Sequence, residues 1–217
     1  MSKIITIAQQ KGGSGKTTIA AHLAAGFISQ GISTTIFDID PQASLSTWFR
    51  VREEKSPELN SLLSCIAIDG NALESEIAKC DDKIIIIDSP PHIQNDARYA
   101  IRAADLVIIP VQPSPTDLWA TRATVEICGQ ENVDFKIALN RVTVNSKIGL
   151  AIRKVFENSM PNNILKNQLG NRVNFASTML DGQTALEQSY TSASGEADAM
   201  VEEVLEILNR KKLKKAA

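Results

Sequence analysis

Residues 10–18 read QKGGSGKTT, and they stand between an apolar run and the first long helical pattern of a 217-residue chain. Glycines at such a junction let successive backbone N–H groups face an anion, and the following helix directs its positive end to the same charge. Lys16 would then reach the terminal phosphates of a nucleotide, and the Thr17 hydroxyl would ligate Mg²⁺. The stretch predicts a phosphate-binding loop. Its predicted nucleotide contacts are Gly12, Gly13, Ser14, Gly15, Lys16, Thr17 and Thr18.

Apolar β-type runs alternate with helical patterns on both sides of this loop. The runs occupy residues 3–8, 34–37, 83–87, 106–111 and 135–139. IIII at 84–87 and LVII at 106–109 are apolar on both faces, as strands covered by helices on each side must be. The pattern predicts an α/β fold, a mostly parallel sheet flanked by helices on both faces, of the P-loop NTPase type.

The rest of the chain divides into helices, loops and one segment without a clear pattern. Helical spacing predicts helices over 17–30, with Gly31 as C-terminal cap, and over 147–158 and 196–212. The polar stretches 52–56 and 160–163 are predicted to be loops, and residues 169–194 carry no pattern that assigns them. We find no interdomain linker, so residues 1–217 are expected to form a single domain.

Composition limits the cellular setting and the partners. Lys and Arg number 23 against 25 Asp and Glu, so the chain as a whole does not attract nucleic acid or anionic membrane. Residues 141–172, however, carry six basic residues and only Glu157 on the acidic side, and any polyanion surface should draw on them. Widely spaced cysteines, no signal peptide and no apolar run of about 20 residues predict a cytoplasmic protein without zinc or disulfides.

The loop departs from the common Walker pattern, which has a glycine where Gln10 stands. KGGSGKTT, with its additional Lys11, resembles the deviant Walker A motif of the ParA/MinD family. DIDPQ at 38–42 is similar to that family's Walker A′ segment, IIIIDSPP at 84–91 to its Walker B strand and switch, and IPVQPSP at 109–115 to its later proline-bearing loop. The likeness covers about two-thirds of the chain and is closest to the short plasmid-partition ParA proteins.

The resemblance implies roles for four charged residues. Asp88 ends an apolar strand, where a carboxylate is costly unless it holds a metal such as Mg²⁺; a turn cap is the alternative. Asp40 would position the attacking water and Asp38 would support the metal and the switch, although both also suit a turn before Pro41. Lys11 would cross to the phosphates of a second subunit in an ATP-dependent homodimer; the alternative is a solvated loop lysine.

Two further predictions concern the role of Asn140 and the roles of the two histidines. Asn140 follows the run FKIAL at the position where the family places an adenine-contacting side chain, and an ordinary turn asparagine is the alternative. His22 and His92 lack a partnered nucleophile or metal-ligand spacing, so we expect neither to take part in the chemistry.

The implied function is an ATPase switch, weak until a partner stimulates it, that partitions plasmid or chromosomal DNA. As an ATP-bound dimer it would bind nucleoid DNA without sequence preference and respond to a centromere-binding ParB-like adaptor. A solvated helix face is the alternative to a DNA surface. The residues predicted to contact DNA are Lys147, Arg153, Lys154, Lys166 and Arg172.

Two rival functions use the same scaffold. A MinD-like protein would bind membrane through its C-terminal helix, but the lysine-rich tail 209–217 offers only Leu213 as an apolar anchor, so no stable membrane association is expected. A metabolic ATP-dependent enzyme or a nitrogenase-type iron protein is the other rival. The iron protein needs cluster-ligating cysteines near the switch, and none follows Asp88 before Cys128.

Overall fold

The computed structural model describes residues 2–91 and 95–215, with side chains described up to Arg210. The strands in this part are β1 (Lys3–Ile7), β2 (Thr34–Asp38), β3 (Leu63–Ala67), β4 (Ile84–Asp88), β5 (Leu106–Val111) and β6 (Phe135–Leu139). The helices are α1 (Lys16–Ser29), α2 (Ser44–Lys55), α3 (Leu73–Lys79), α4 (Asn95–Ala103), α5 (Pro115–Gln130), α6 (Lys147–Ser159), α7 (Asn174–Ser177) and α8 (Ser192–Lys215).

The described strands form one sheet in the order β3-β2-β4-β1-β5-β6, and every adjacent pair is parallel. The register pairs Asp88 with Ile7 on one side and with Asp38 on the other. Because parallel strands end at the same edge, the loops after β1, β2 and β4 meet there. The predicted α/β sheet is confirmed, and its carboxyl edge gathers the three segments that the sequence marked as functional.

Helices cover both faces of the sheet. On one face α1 packs against α8, and Gly26 makes this possible because a Cβ there would lie 2.4 Å from a methyl group of Val201. On the other face α5 and α6 close a core with β5 and β6 through buried side chains such as Ile127 and Phe156. These faces explain why IIII at 84–87 is buried throughout.

Two expectations about local structure were wrong or incomplete. Residues 52–56 were expected to be a loop, but α2 continues through Lys55 and Arg52 is fully buried. Arg52 and Lys55 in this stretch pair with Glu187 and Asp181, residues distant in sequence, which a local pattern does not reveal. Strand β3 was not predicted, and its half-exposed edge position explains the weak apolar signal.

Other boundaries agree closely with the expected ones. Helix α1 ends at Ser29 and is followed by Gly31 at φ +72°, which confirms the predicted cap. The unassigned segment 169–194 holds α7, two short 3-10 turns at Thr178–Asp181 and Ala185–Glu187, and the start of α8. None of the described helices is long and apolar enough to cross a bilayer. His92, the side chain of Leu213 and residues 216–217 lie outside what the structure describes.

Candidate nucleotide-binding site

The loop between β1 and α1 leaves the first turn of α1 uncapped, as an anion-binding site requires. Gly13 and Gly15 have φ values of +74° and +99°, which favour glycine because other side chains would strain the backbone there. Gly15 caps α1 without a side-chain hydrogen bond, and the first turn carries no acidic residue. The N–H groups of this turn are therefore open to a phosphate, and the helix dipole attracts it.

Lys16 is buried at the centre of the loop. It is 7% exposed, and its ammonium donates to the backbone oxygen of Gln9 at 3.3 Å. Burial lowers the pKa of Lys16, while the nearby carboxylates of Asp88 and Asp40 oppose the shift. A bound phosphate would stabilise the charged form, because it brings opposite charge to an ammonium that the protein has partly removed from water.

The Thr17 hydroxyl and the Asp88 carboxylate lie together beneath the loop. Thr17 Oγ1 donates to Asp88 Oδ2 at 2.8 Å, and Asp88 is 1% exposed. Asp88 Oδ1 has no hydrogen-bond partner among the described residues. Burial raises the pKa of Asp88 to about 7, and the hydrogen bond from Thr17 opposes that shift. A buried carboxylate atom without a donor beside a hydroxyl fits a Mg²⁺ site that these two side chains would hold.

Asp38 and Asp40 are placed differently from each other. Asp38 is 2% exposed and its Oδ2 accepts from the backbone and the hydroxyl of Ser46, at 2.8 and 2.9 Å, which holds the start of α2. Asp40 lines the cleft over the loop. Its carboxylate accepts a hydrogen bond from the backbone N–H of Gln42, which is the turn at Pro41 that the sequence analysis gave as the alternative to a catalytic role. The roles of Asp38 at the metal and of Asp40 in catalysis stay predictions.

Lys11 is bound to its own chain. Its ammonium forms an ion pair with Asp117 in the first turn of α5 and donates to Thr116 Oγ1 at 3.0 Å. Asp117 is 1% exposed, and its Oδ1 has no hydrogen-bond partner in the described part of the chain. Lys11 is thus not a solvated loop lysine, and Asp117 is a site residue that the sequence analysis missed.

Asn140 braces the loop from the end of β6. Its Nδ2 donates to the backbone oxygen of Ser14 at 2.8 Å, and its Oδ1 accepts from the Arg141 N–H at 2.9 Å. A Cβ on Gly15 would lie 2.0 Å from Asn140 Nδ2, so the two residues fit only because Gly15 has no side chain. The adenine contact of Asn140 stays a prediction.

A cleft of about 640 Å³ lies over the loop and includes residues that the sequence did not mark. Arg141, which has φ +52°, reaches it directly after Asn140. The remaining wall comes from α2 and from the segment that had no assignment. These residues are Thr47, Trp48, Val51, Ala176, Met179 and Leu180.

Three of the five predicted DNA contacts share a second groove. Arg153, Lys166 and Arg172 line a hollow of about 690 Å³. Arg153 already donates to backbone oxygens at 165 and 166, and Arg172 forms an ion pair with Glu196 at 2.7 Å. Lys147 and Lys154 are exposed on α6 and do not line this hollow.

A buried lysine at an uncapped helix start, with a Thr–Asp pair beneath it at the carboxyl edge of a parallel sheet, defines a P-loop nucleotide-binding protein. Comparison with known sequences is more specific. The chain belongs to the CobQ/CobB/MinD/ParA family, whose nucleotide binding domain matches residues 5–212. Within that family it is a ParA/MinD-type ATPase, as the deviant loop indicated.

Two relatives match over two-thirds or more of their own length. The chain is 27% identical over 212 residues to maintenance of carboxysome distribution protein A of Halothiobacillus neapolitanus, covering 93% of this chain and 95% of that protein. It is 30% identical over 158 residues to protein ParA of Rhizobium radiobacter, covering 69% of this chain and 67% of that protein. An ATP complex of a variant of McdA from Cyanothece has the same fold, with a TM-score of 0.77 at 19% identity and coverage of 94% and 96%.

Proposed function

We propose that this chain is an ATP-driven switch that pairs with a second copy when it binds ATP and Mg²⁺ and that positions DNA or another cargo. One observation carries the proposal: the buried Asp88 carboxylate, one oxygen of which has no donor among the described residues, lies beside Thr17 and Lys16 under an uncapped helix start. This arrangement suits a metal-bound triphosphate better than any neutral ligand.

Each residue would have a separate task in hydrolysis. Lys16 and the N–H groups of the loop hold the phosphates, and Asp40 orients the attacking water from the cleft side. Thr17 and Asp88 hold Mg²⁺, which supplies positive charge to the phosphates when it is bound. Turnover of one chain is expected to be weak, because the second cation, Lys11, must come from a partner subunit.

The test compares two lysine variants. Lys16→Ala should abolish binding of a non-hydrolysable ATP analogue in calorimetry and any doubling of mass in light scattering, because the phosphates lose their buried cation. Lys79→Ala is the control, since Lys79 is exposed on α3 and pairs only locally with Glu76. Tight binding by Lys16→Ala would contradict the assignment of the loop.

The cargo function rests on exposed lysines of the basic segment 141–172 and on the relatives. Lys166 and Lys154 are exposed, and doubling them in a dimer gives a salt-sensitive surface for DNA of any sequence. We infer nucleoid attachment in the cytoplasm and release by a ParB-like adaptor on the cargo. Lys154→Gln with Lys166→Gln should weaken DNA retention and reduce its salt dependence, with basal hydrolysis unchanged. An unaltered gel shift would place the DNA surface elsewhere.

A further inference from the structure

A fully buried arginine lies outside the phosphate loop and has no part in the chemistry above. Arg52, on α2, is 0% exposed, and its guanidinium donates to Asn60 Oδ1 at 2.7 Å and to the backbone oxygen of Gly182 at 3.0 Å. It also meets both carboxylate oxygens of Glu187, one of them at 2.8 Å. An arginine is rarely removed from water so completely unless its position serves a purpose.

The partner of Arg52 belongs to the segment that forms one wall of the nucleotide cleft. We call residues 174–187 the rim segment; its Ala176, Met179 and Leu180 line the cleft. Trp48 and Val51 line the same cleft and stand on the same helix as Arg52. The position of the rim segment against α2 therefore shapes this wall of the cleft.

The contact between α2 and the rim segment is closer than most residues would allow. Gly182 has φ +69°, and a Cβ there would lie 2.3 Å from the backbone nitrogen of Arg52. Trp48 Nε1 donates to the backbone oxygen of Gln183 at 3.2 Å beside it. Glu187 is fixed in turn, since its carboxylate accepts from the backbone and the hydroxyl of Thr184 at 2.8 and 3.1 Å.

A second attachment ties the rim segment to the helix that begins at the phosphate loop. His22 is 2% exposed, its Nε2 accepts from the Ala185 N–H at 3.1 Å, and its Nδ1 donates to the backbone oxygen of Thr18 at 2.8 Å. The rim segment is thus held both by α1, which carries the phosphate contacts, and by α2. His22, which was not expected to take part in the chemistry, therefore has a structural role.

We propose that Arg52 and Glu187 are positioning residues: their buried ion pair holds the rim segment against α2 at the spacing that the bound nucleotide requires. The proposal rests on the nucleotide site proposed above. Breaking a buried pair by removing one charge leaves the other uncompensated, so the rim segment should move to let water reach Arg52. The phosphate loop is not touched by this change, and only the cleft wall is displaced.

The experiment measures binding of a non-hydrolysable ATP analogue by calorimetry. Glu187→Gln keeps the shape of the side chain and should raise the dissociation constant about tenfold, the effect of losing one charge-assisted hydrogen bond at a site. Arg50→Ala is the matched control, because Arg50 lies on α2 but pairs only with Glu54 at the surface. Its dissociation constant should equal that of the wild type.

Calorimetry separates positioning from a loss of folded protein. A merely structural role lowers the stoichiometry and the melting temperature but leaves the dissociation constant of the remaining folded molecules unchanged, and that result would overturn the proposal. Turnover of Glu187→Gln should recover at saturating ATP, which places the loss in KM rather than in kcat. If the wild type itself binds no nucleotide, the proposed function fails instead.

A gentler variant covers the case in which Glu187→Gln does not fold. Thr184→Val removes the hydroxyl that donates to the Glu187 carboxylate and accepts from the Glu187 backbone N–H, but leaves both charges of the ion pair in place. It should raise the dissociation constant about threefold while the chain stays folded. An unchanged dissociation constant in folded Thr184→Val would refute the proposal, as an unchanged dissociation constant in folded Glu187→Gln would.

Discussion

The ion pair between Lys11 and Asp117 should oppose dimer formation. The variant Asp117→Asn should therefore form a stronger dimer than the wild type. In the proposed dimer the second subunit needs the Lys11 ammonium at its phosphates, yet the structure binds that ammonium to a carboxylate of its own chain. Asparagine keeps the size of the side chain and an oxygen that can still accept from the Ser114 hydroxyl. The variant removes the charge that holds Lys11 and little else.

The size of the effect follows from the exposure of the two partners. Exposed ion pairs contribute about 0.2–1 kcal/mol, whereas breaking a fully buried pair costs about 3–5 kcal/mol. Lys11 is 38% exposed and Asp117 is 1% exposed, so releasing one lysine should cost an intermediate amount, about 1–2 kcal/mol. A dimer requires two releases, which gives about 2–4 kcal/mol, so Asp117→Asn should lower the dimer dissociation constant about 30- to 700-fold.

Sedimentation equilibrium with a saturating non-hydrolysable ATP analogue measures this constant directly. Glu126→Gln serves as the control, because Glu126 lies on α5 like Asp117 but pairs with Arg122 at the surface, 57% exposed, and should leave association unchanged. Lys11→Ala should lose the tight dimer altogether, since no cation remains to cross. If Asp117→Asn dimerises as the wild type does, or more weakly, Asp117 does not restrain Lys11 and the reasoning is refuted.

Three further outcomes are expected. Gly15→Ala should lose nucleotide binding in calorimetry, because the new Cβ meets Asn140 at 2.0 Å and φ is +99°; retained affinity would show that the loop can rearrange. Asp40→Ala should bind ATP but hydrolyse it poorly and accumulate as dimer, and normal turnover would remove Asp40 from the mechanism. Burial lowers the pKa of His22 to about 4 from 6.5, so its neutral form stabilises the fold above pH 6.5 and this contribution is lost as pH falls toward 4. It amounts to about 3 kcal/mol, and urea denaturation should show a flatter pH dependence for His22→Gln.

The sequence was most informative where a contact is local. The loop residues 12–18 act through their own backbone and the adjoining helix, so their spacing is sufficient to identify them. The stretches 84–87 and 106–111 are buried on both faces of the sheet and are therefore apolar without interruption. The strands could be predicted, and the structure agrees with them, whereas the nucleotide contacts of the loop stay a prediction.

Contacts between distant segments could not be read in this way. Lys11 and Asp117 are 106 positions apart, and Arg52 and Glu187 are 135 apart. A charged residue in a polar stretch looks solvated until its partner is known, which is why 52–56 was expected to be a loop. Asn140 was noted for its place after β6, but its brace on Ser14 depends on how β6 is aligned beside the loop.

The two carboxylates with unpartnered oxygens explain why nucleotide and dimer should be linked. Asp88 and Asp117 are each 1% exposed and each has an oxygen without a hydrogen-bond partner among the described residues. Such an atom costs about 1–3 kcal/mol. At Asp88 a bound cation removes this cost, whereas at Asp117 the departure of Lys11 increases it. We therefore expect the nucleotide-free chain to keep Lys11 on Asp117, and a metal-bound nucleotide in the same loop to favour its release.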